Sequence, residues 1–194
     1  YQNNINLEIE RVNYDISLLC STFLSYHRYL IFETLYNKIN VETKQDVLVL
    51  GVGSGIELAI LNDMSRNTFA YDTNISSFIK RTFSKVQFFE KHFFYESQKL
   101  YDKIILIELL EHLQQPEKLL IDCMHSLKPG GRIHFTTAVN IPQFDHLVNF
   151  ALNGNDFEEH ILKANFEIEF RLEIPHNYPI KIEAYNCYYI IKKK

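Results

Sequence analysis

Apolar positions along the chain change their period twice. From Tyr14 to about Ile39 the residues Leu18, Leu19, Phe23, Tyr26, Leu30, Ile31, Leu35 and Ile39 recur at steps of three and four, which predicts one or two helices. Beyond them, short apolar runs alternate with helix-period segments. The runs predict strands at 47–50, 68–71, 86–89, 103–107 and 132–137, and the segments between and after them predict helices at 56–64, 75–82, 116–127 and 143–152. Pro116 suits a first helical turn, and Lys128-Pro129-Gly130-Gly131 reads as a stop and turn before the next strand. Such alternation predicts a parallel sheet with helices on both faces. The pattern then shifts again. Asn155 to Ala164 reads as a short helix, and Phe166 to Ile174 and Tyr185 to Ile191 read as two strands joined by a loop short enough for an antiparallel pair. With no repeat, low-complexity tract or linker, residues 1–194 are expected to form one domain: a helical cap over 1–40 and a core over 41–194.

One segment adds chemistry to the pattern. Val47-Leu48-Val49-Leu50 runs into Gly51-Val52-Gly53-Ser54-Gly55, a helix-like stretch follows, and a second strand ends at Asp72 with Thr73 after it. Strand, glycine turn, helix, strand and acid make half of a nucleotide-binding α/β unit. A carboxylate at the tip of the second strand is placed to accept hydrogen bonds from two ribose hydroxyls. A dinucleotide fingerprint, G-x-G-x-x-G, would need a third glycine where Ile56 stands; here the spacing is G-x-G-x-G.

Composition bounds the partners. The chain is 46% hydrophobic and 23% charged, an ordinary globular balance, and its formal net charge of −4 argues against a nucleic-acid binder held by phosphate contacts. The three cysteines, Cys20, Cys123 and Cys187, are far apart and form no C-x-x-C, so neither a zinc site nor a disulfide framework is expected, and a cytoplasmic setting is the default. No apolar run reaches membrane-spanning length, because Glu108 interrupts the densest one, and no membrane partner is expected.

The glycine turn resembles motif I of the class I S-adenosylmethionine (SAM) methyltransferases. Tyr101 to Leu113, with Ile107-Glu108-Leu109-Leu110-Glu111-His112, is similar to that family's fourth-strand motif, and Leu127 to Ile133 to the turn before its fifth strand. The E-x-x-E-H form is most similar to the ubiquinone-biosynthesis O-methyltransferases and the small-RNA 2′-O-methyltransferases. The resemblance implies a Rossmann-like sandwich with a seven-stranded, mostly parallel sheet whose last strand is antiparallel. It also implies a SAM site. Gly51, Gly53, Ser54 and Gly55 would approach the methionine and ribose parts, Asp72 and Thr73 would meet the ribose, residues 90–92 would flank the adenine, and Ile107 and Glu108 would lie near the methyl sulfonium. Two positions depart from the family: Val49 stands where an acid is common, and Lys91-His92-Phe93 where an acid and a small residue are common.

Methyl transfer to a hydroxyl needs a base or an acidifying metal. If the chain turns helical after the fourth strand, Glu108, Glu111 and His112 project from one face, and His146 is the best-placed further group. These four are candidate ligands for Mg²⁺ or Mn²⁺, and His112 and His146 are candidate bases or substrate contacts. Arg28 could reach the cofactor carboxylate or decorate a helix surface, and His125 and His134 read as packing or surface residues. The N-terminal helices and the loops 138–145 and 174–184, together rich in Tyr, Phe and Ile, suggest a small or carrier-tethered apolar or aromatic acceptor. The rival expectations are a non-catalytic binding or scaffold domain on the same fold and an NAD-type oxidoreductase.

Overall fold

A computed structural model describes residues 2–40, 45–62, 67–94, 99–141, 143–150, 157–158, 165–176 and 183–194. The chain divides into two compact units, Tyr1–Phe93 and Phe94–Lys194.

In the first unit, α1 (Gln2–Leu24) and α2 (Tyr26–Lys38) precede β1 (Asp46–Leu50), α3 (Ile56–Leu61), β2 (Asn67–Asp72), α4 (Ser77–Thr82) and β3 (Gln87–Glu90). The helical pattern at the N-terminus thus resolves into two helices broken at Ser25, the first of them beginning well before Tyr14. The strands lie parallel in the order β3-β2-β1, with Val49 beside Ala70 and Asp72 beside Glu90. A parallel strand covered on both sides reads as an unbroken apolar run, and Val47, Leu48 and Val49 are fully buried. Ile31, Leu35 and Ile39 join Leu58, Leu61 and Ile79 in the core, each such side chain contributing about 1.5–3 kcal/mol by leaving water. The rest of the apolar helical stripe does not: Phe23 and Tyr26 are exposed.

The second unit runs β4 (Tyr101–Leu106), a single 3-10 turn (Leu110–His112), α5 (Pro116–His125), β5 (Leu127–Val139), β6 (Phe166–Pro175) and β7 (Tyr185–Lys193). Its strand order is β4-β5-β7-β6, with β4 and β5 parallel and β7 antiparallel to both β5 and β6. Seven strands are therefore present among the described residues, and the last in the chain is the antiparallel one. Pro116 opens α5, and Ser126 closes it by sending its hydroxyl to Asp122 O at 2.9 Å. The Lys128–Gly131 segment does not separate α5 from a later strand. It lies inside β5 as an irregularity, with the β4 register jumping from Tyr101–Leu127 to Lys103–Arg132. Ile104, Ile105, Leu106, Ile133 and Phe135 fill the core.

One expected helix is absent. Residues 143–150 form turns, because the N–H groups of Leu147 and Val148 donate to Glu111 O at 2.7 and 3.2 Å and so leave the i→i−4 pattern. Residues 151 and 152 of that expectation, and most of the helix expected over 155–164, lie outside the described residues. Among the described residues no helix is long and apolar enough to cross a membrane.

Candidate functional site

In the first unit the candidate residues gather where β1 meets α3. Gly51 N–H donates to Tyr71 O at 3.0 Å, so the turn begins tied to β2. Gly55, at φ +79°, serves as N-cap of α3; a Cβ there would meet Phe83 at 3.0 Å and Ile79 at 3.1 Å, so this glycine answers both to a left-handed backbone and to α4 packed against it. Gly53 differs. Its φ is +47°, yet a Cβ would meet only Leu18 Cδ1, at an ordinary 3.5 Å. Its backbone favours glycine, while the space beside it stays largely open among the described residues. Ser54 is half-buried in the same turn.

Asp72 ends β2 half-buried. Its Oδ2 accepts from Gly53 N–H at 3.4 Å and its Oδ1 from Asn74 N–H at 3.0 Å. Each carboxylate oxygen has two acceptor positions, so both keep one for a vicinal diol. Thr73 beside it is exposed. The residues therefore fit a nucleoside: a half-buried carboxylate, a backbone amide and an open glycine. Glu90 is committed to the scaffold, accepting from Ile75 N–H at 3.0 Å and from Lys80 Nζ at 2.6 Å. The Lys80 hydrogen bond holds its carboxyl below the usual range. The Lys91 ammonium lies 5.7 Å over the Tyr71 ring.

Two residues near this turn carried no signal in the spacing. Leu18 of α1 is the side chain nearest Gly53. Asp15, one turn earlier, is only 4% exposed and lies 3.1 Å from Arg11 Nε. Burial pushes its carboxyl pKa up, against the pull of Ser76 and Arg11, while the Asp72 charge adds to the rise. Arg28 on α2 is turned to Ser21, with Nη1 donating to its Oγ at 2.9 Å.

In the second unit the candidates come from separated segments. Ile107, past the end of β4, is buried, and Glu108 follows with φ +48°. The Glu108 N–H donates to Thr136 Oγ1 at 2.8 Å, and its Oε1 accepts from Asn186 Nδ2 at 3.4 Å. The 3-10 turn begins only at Leu110, after this left-handed residue. Glu108, Glu111 and His112 consequently do not share one continuous helical face, and the expectation of a common face is corrected.

Glu111, His112 and His146 do converge: one ligand atom from each lies within 4.8 Å of the other two. Glu111 is 1% exposed. Its carbonyl takes the two N–H groups that fold residues 143–148 back over the 3-10 turn. The His112 Nδ1 lies 3.0 Å from Asp145 O and 3.6 Å from Asp145 Oδ2. The His112 and His146 rings meet edge to face, centroids 5.1 Å apart. Burial, then the neighbouring His112, push the His146 pKa below the ordinary imidazole value, against a smaller pull from Asp145 and Glu108. A neutral imidazole beside a buried carboxylate and a second imidazole can accept a proton or bind a divalent cation. Glu108 is not in this converging group. His134, by contrast, is buried in β5 with its Nδ1 3.0 Å from the Tyr188 hydroxyl, a core position.

A ubiquinone biosynthesis O-methyltransferase of Rickettsia felis is 27% identical over 114 residues, covering 55% of this chain and 47% of that protein. The corresponding Rickettsia canadensis protein is 26% identical over 108 residues, covering 52% of this chain and 46% of its own length. The chain thus spans about half the length of the curated relatives it matches. Among solved structures, the Burkholderia thailandensis 1,6-didemethyltoxoflavin-N1-methyltransferase with bound S-adenosylhomocysteine superposes with a TM-score of 0.68 at 13% identity, covering 100% of this chain and 89% of that one. The [4+2]-cyclase SpnF gives 0.69 at 13% identity, over 86% of this chain and 80% of that one. These likenesses show the fold, the Rossmann-like α/β class with an antiparallel last strand. The family model described as a methyltransferase domain matches residues 24–166, and the chain belongs to that family.

Proposed function

We propose that this chain transfers the methyl group of SAM to a hydroxyl oxygen of a small or carrier-tethered apolar or aromatic acceptor. The carrying observation is the convergence of Glu111, His112 and His146, with burial holding the His146 pKa below the ordinary imidazole value. SAM supplies an electrophilic methyl on a sulfonium; the chain must hold it, place the acceptor in line and take the acceptor's proton. Asp72 accepts the ribose hydroxyls, and the open backbone at Gly53 permits close approach. Gly51, Ser54, Gly55 and Thr73 complete the cofactor set, and family likeness puts Ile107 and Glu108 beside the methyl sulfonium, where cofactor and acceptor meet. His146 receives the proton of the acceptor hydroxyl. His112, turned by Asp145, lines the same position. Oxygen as the methylated atom is supported by the names of the Rickettsia relatives.

The same three side chains make a donor set for a divalent cation. One buried carboxylate and two imidazoles suit Mn²⁺ better than the all-oxygen preference of Mg²⁺. A cation held there would lower the pKa of a bound hydroxyl. Family membership sets the NAD-type alternative aside. A SAM-binding domain without turnover is the remaining alternative, motivated by Val49 and Lys91, where the family usually carries acids or small residues.

The test is S-adenosylhomocysteine release from SAM with catechol as acceptor, in EDTA and with added Mn²⁺ or Mg²⁺. The expected result is an O-methyl product formed in EDTA and lost in His146→Phe; a product lost in EDTA and restored by Mn²⁺, but not in Glu111→Gln, assigns the three side chains to a cation instead. Full activity in EDTA rejects the metal and leaves His146 as the base. SAM binding without any product rejects the transfer reading.

A further inference from the structure

One carboxylate stands apart from the converging group and is held more elaborately than its neighbours. Glu108 occupies the left-handed region at φ +48°, which a long side chain rarely adopts without support. Its N–H is taken by Thr136 and its Oε1 by Asn186, both wholly buried. Asn186 lies within β7, beside Ala138 of β5 and Ile174 of β6 in the strand register. An apolar side chain would be ordinary at such a position. Instead the amide oxygen accepts from the Nε2–H of His176, just past β6. An amide has one accepting end and one donating end. With Oδ1 committed to His176, the NH₂ is turned towards Glu108. His176 is itself fixed, its backbone N–H donating to Ala184 O at 2.8 Å across the β6–β7 connection. The result is a directed chain from His176 through Asn186 to Glu108, whose 3.4 Å last link is the loosest.

We infer that Asn186 and His176 are positioning residues that hold the Glu108 carboxylate, extending the acceptor side of the site onto β7 and the end of β6; this rests on the methyltransferase reading above. Buried polar chains are costly unless every member is satisfied. Local rules tend to be broken where function requires it. Here the break has an output, because the chain ends on a carboxylate two residues before the 3-10 turn that carries Glu111 and His112. Asn186 and His176 therefore fix where the Glu108 carboxylate sits, without themselves touching the acceptor.

The test compares His176→Phe, His176→Gln and Asn186→Leu in the full chain. Melting temperature, S-adenosylhomocysteine affinity by calorimetry, and kcat and KM with SAM and catechol are measured for each. His176→Phe and Asn186→Leu should lower kcat by about tenfold or more, with KM for SAM and S-adenosylhomocysteine affinity held. His176→Gln keeps an N–H donor for Asn186 and should recover most of the loss. An unchanged kcat in His176→Phe, or an equal loss in His176→Gln at unchanged melting temperature, overturns the inference. If the wild-type protein does not methylate catechol, the transfer reading fails separately, and crystal structures decide the positioning. A Glu108 displaced from its left-handed backbone in either chain-breaking variant supports it, and an unmoved Glu108 overturns it. His176→Phe, half-buried and outside the strands, is the variant to rely on should Asn186→Leu fail to fold.

Discussion

In the first unit, the candidate nucleoside-binding groups come from one stretch, residues 51 to 73, spanned by α3. Asp72 is tied back to the turn through Gly53 N–H, so recognition and scaffold share one short loop. In the second unit the candidate groups come from the end of β4, a 3-10 turn, the segment after β5, and β7. They are joined by long-range hydrogen bonds, such as Leu147 to Glu111 and Asn186 to Glu108. The first arrangement is local and built largely from backbone. The second is drawn from segments far apart in the chain and offers mainly side chains. A local backbone site survives wide sequence change around it, whereas an assembled one can be retuned a residue at a time. That division suits an enzyme whose cofactor is fixed and whose acceptor varies.

The sharpest way to break the comparison is Gly53→Val. A β-branched residue at φ +47° is strained by about 1–3 kcal/mol, and its side chain enters the open space beside the turn. SAM binding should fall by more than about a hundredfold in calorimetry, a loss of about 2.7 kcal/mol, while circular dichroism shows most of the fold retained. Normal binding would make the turn purely structural. Asp72→Ala should cost less, about tenfold in SAM affinity, since charge-assisted hydrogen bonds contribute about 1.5–3 kcal/mol and part of that is recovered by water. An unchanged affinity in a folded variant removes Asp72 from the site.

A smaller effect separates buried polarity that serves the site from buried polarity that does not. His134 is wholly buried, and burial, aided by Lys103 and Arg132, holds its pKa down to about 3. The unfolded chain binds this proton near pH 6.5 and the folded chain does not. Its contribution is therefore intact above about pH 6.5 and is lost as pH falls towards 3. Between about pH 6.5 and 5.5, urea unfolding should show the wild-type protein losing about 1 kcal/mol more than His134→Gln. Equal losses would mean that His134 is already accessible to water in the folded state.

The same contrast explains what could be read from the chain. Buried parallel strands declare themselves, so β1, β2 and β4 fall within two residues of their expected bounds. The glycine turn and Asp72 are legible because their spacing is their geometry. The region after β5 was not. Phe144, Leu147 and Phe150 mimic a helical period, but the Glu111 carbonyl claims the backbone, and Phe144 is fully exposed. Asn186 and His176 have no spacing relation to Glu108, since strand register alone brings them near it. Asp15 looks like any surface acid on a helix until α1 is seen beside Gly53. For Glu108 the error was one of backbone: a left-handed residue interrupts the helical spacing that would have grouped it with Glu111 and His112.

Among the described residues β6 is the outermost strand of the second unit, with a consequence for handling the protein. An unpaired strand edge is a template on which other chains can add and aggregate. Here Glu169 is paired to Arg132, Glu167 to Lys192, and Arg171 to Glu158 and Glu173, while a register shift between Ile168 and Phe170 bends the ladder and Pro175 ends it. A second copy docking on this edge would have to break charged pairs, follow a kinked ladder and find no donor at the proline. The edge thus works against fibrillar stacking at high protein concentration, and concentrated salt, by screening those charges, weakens that protection first.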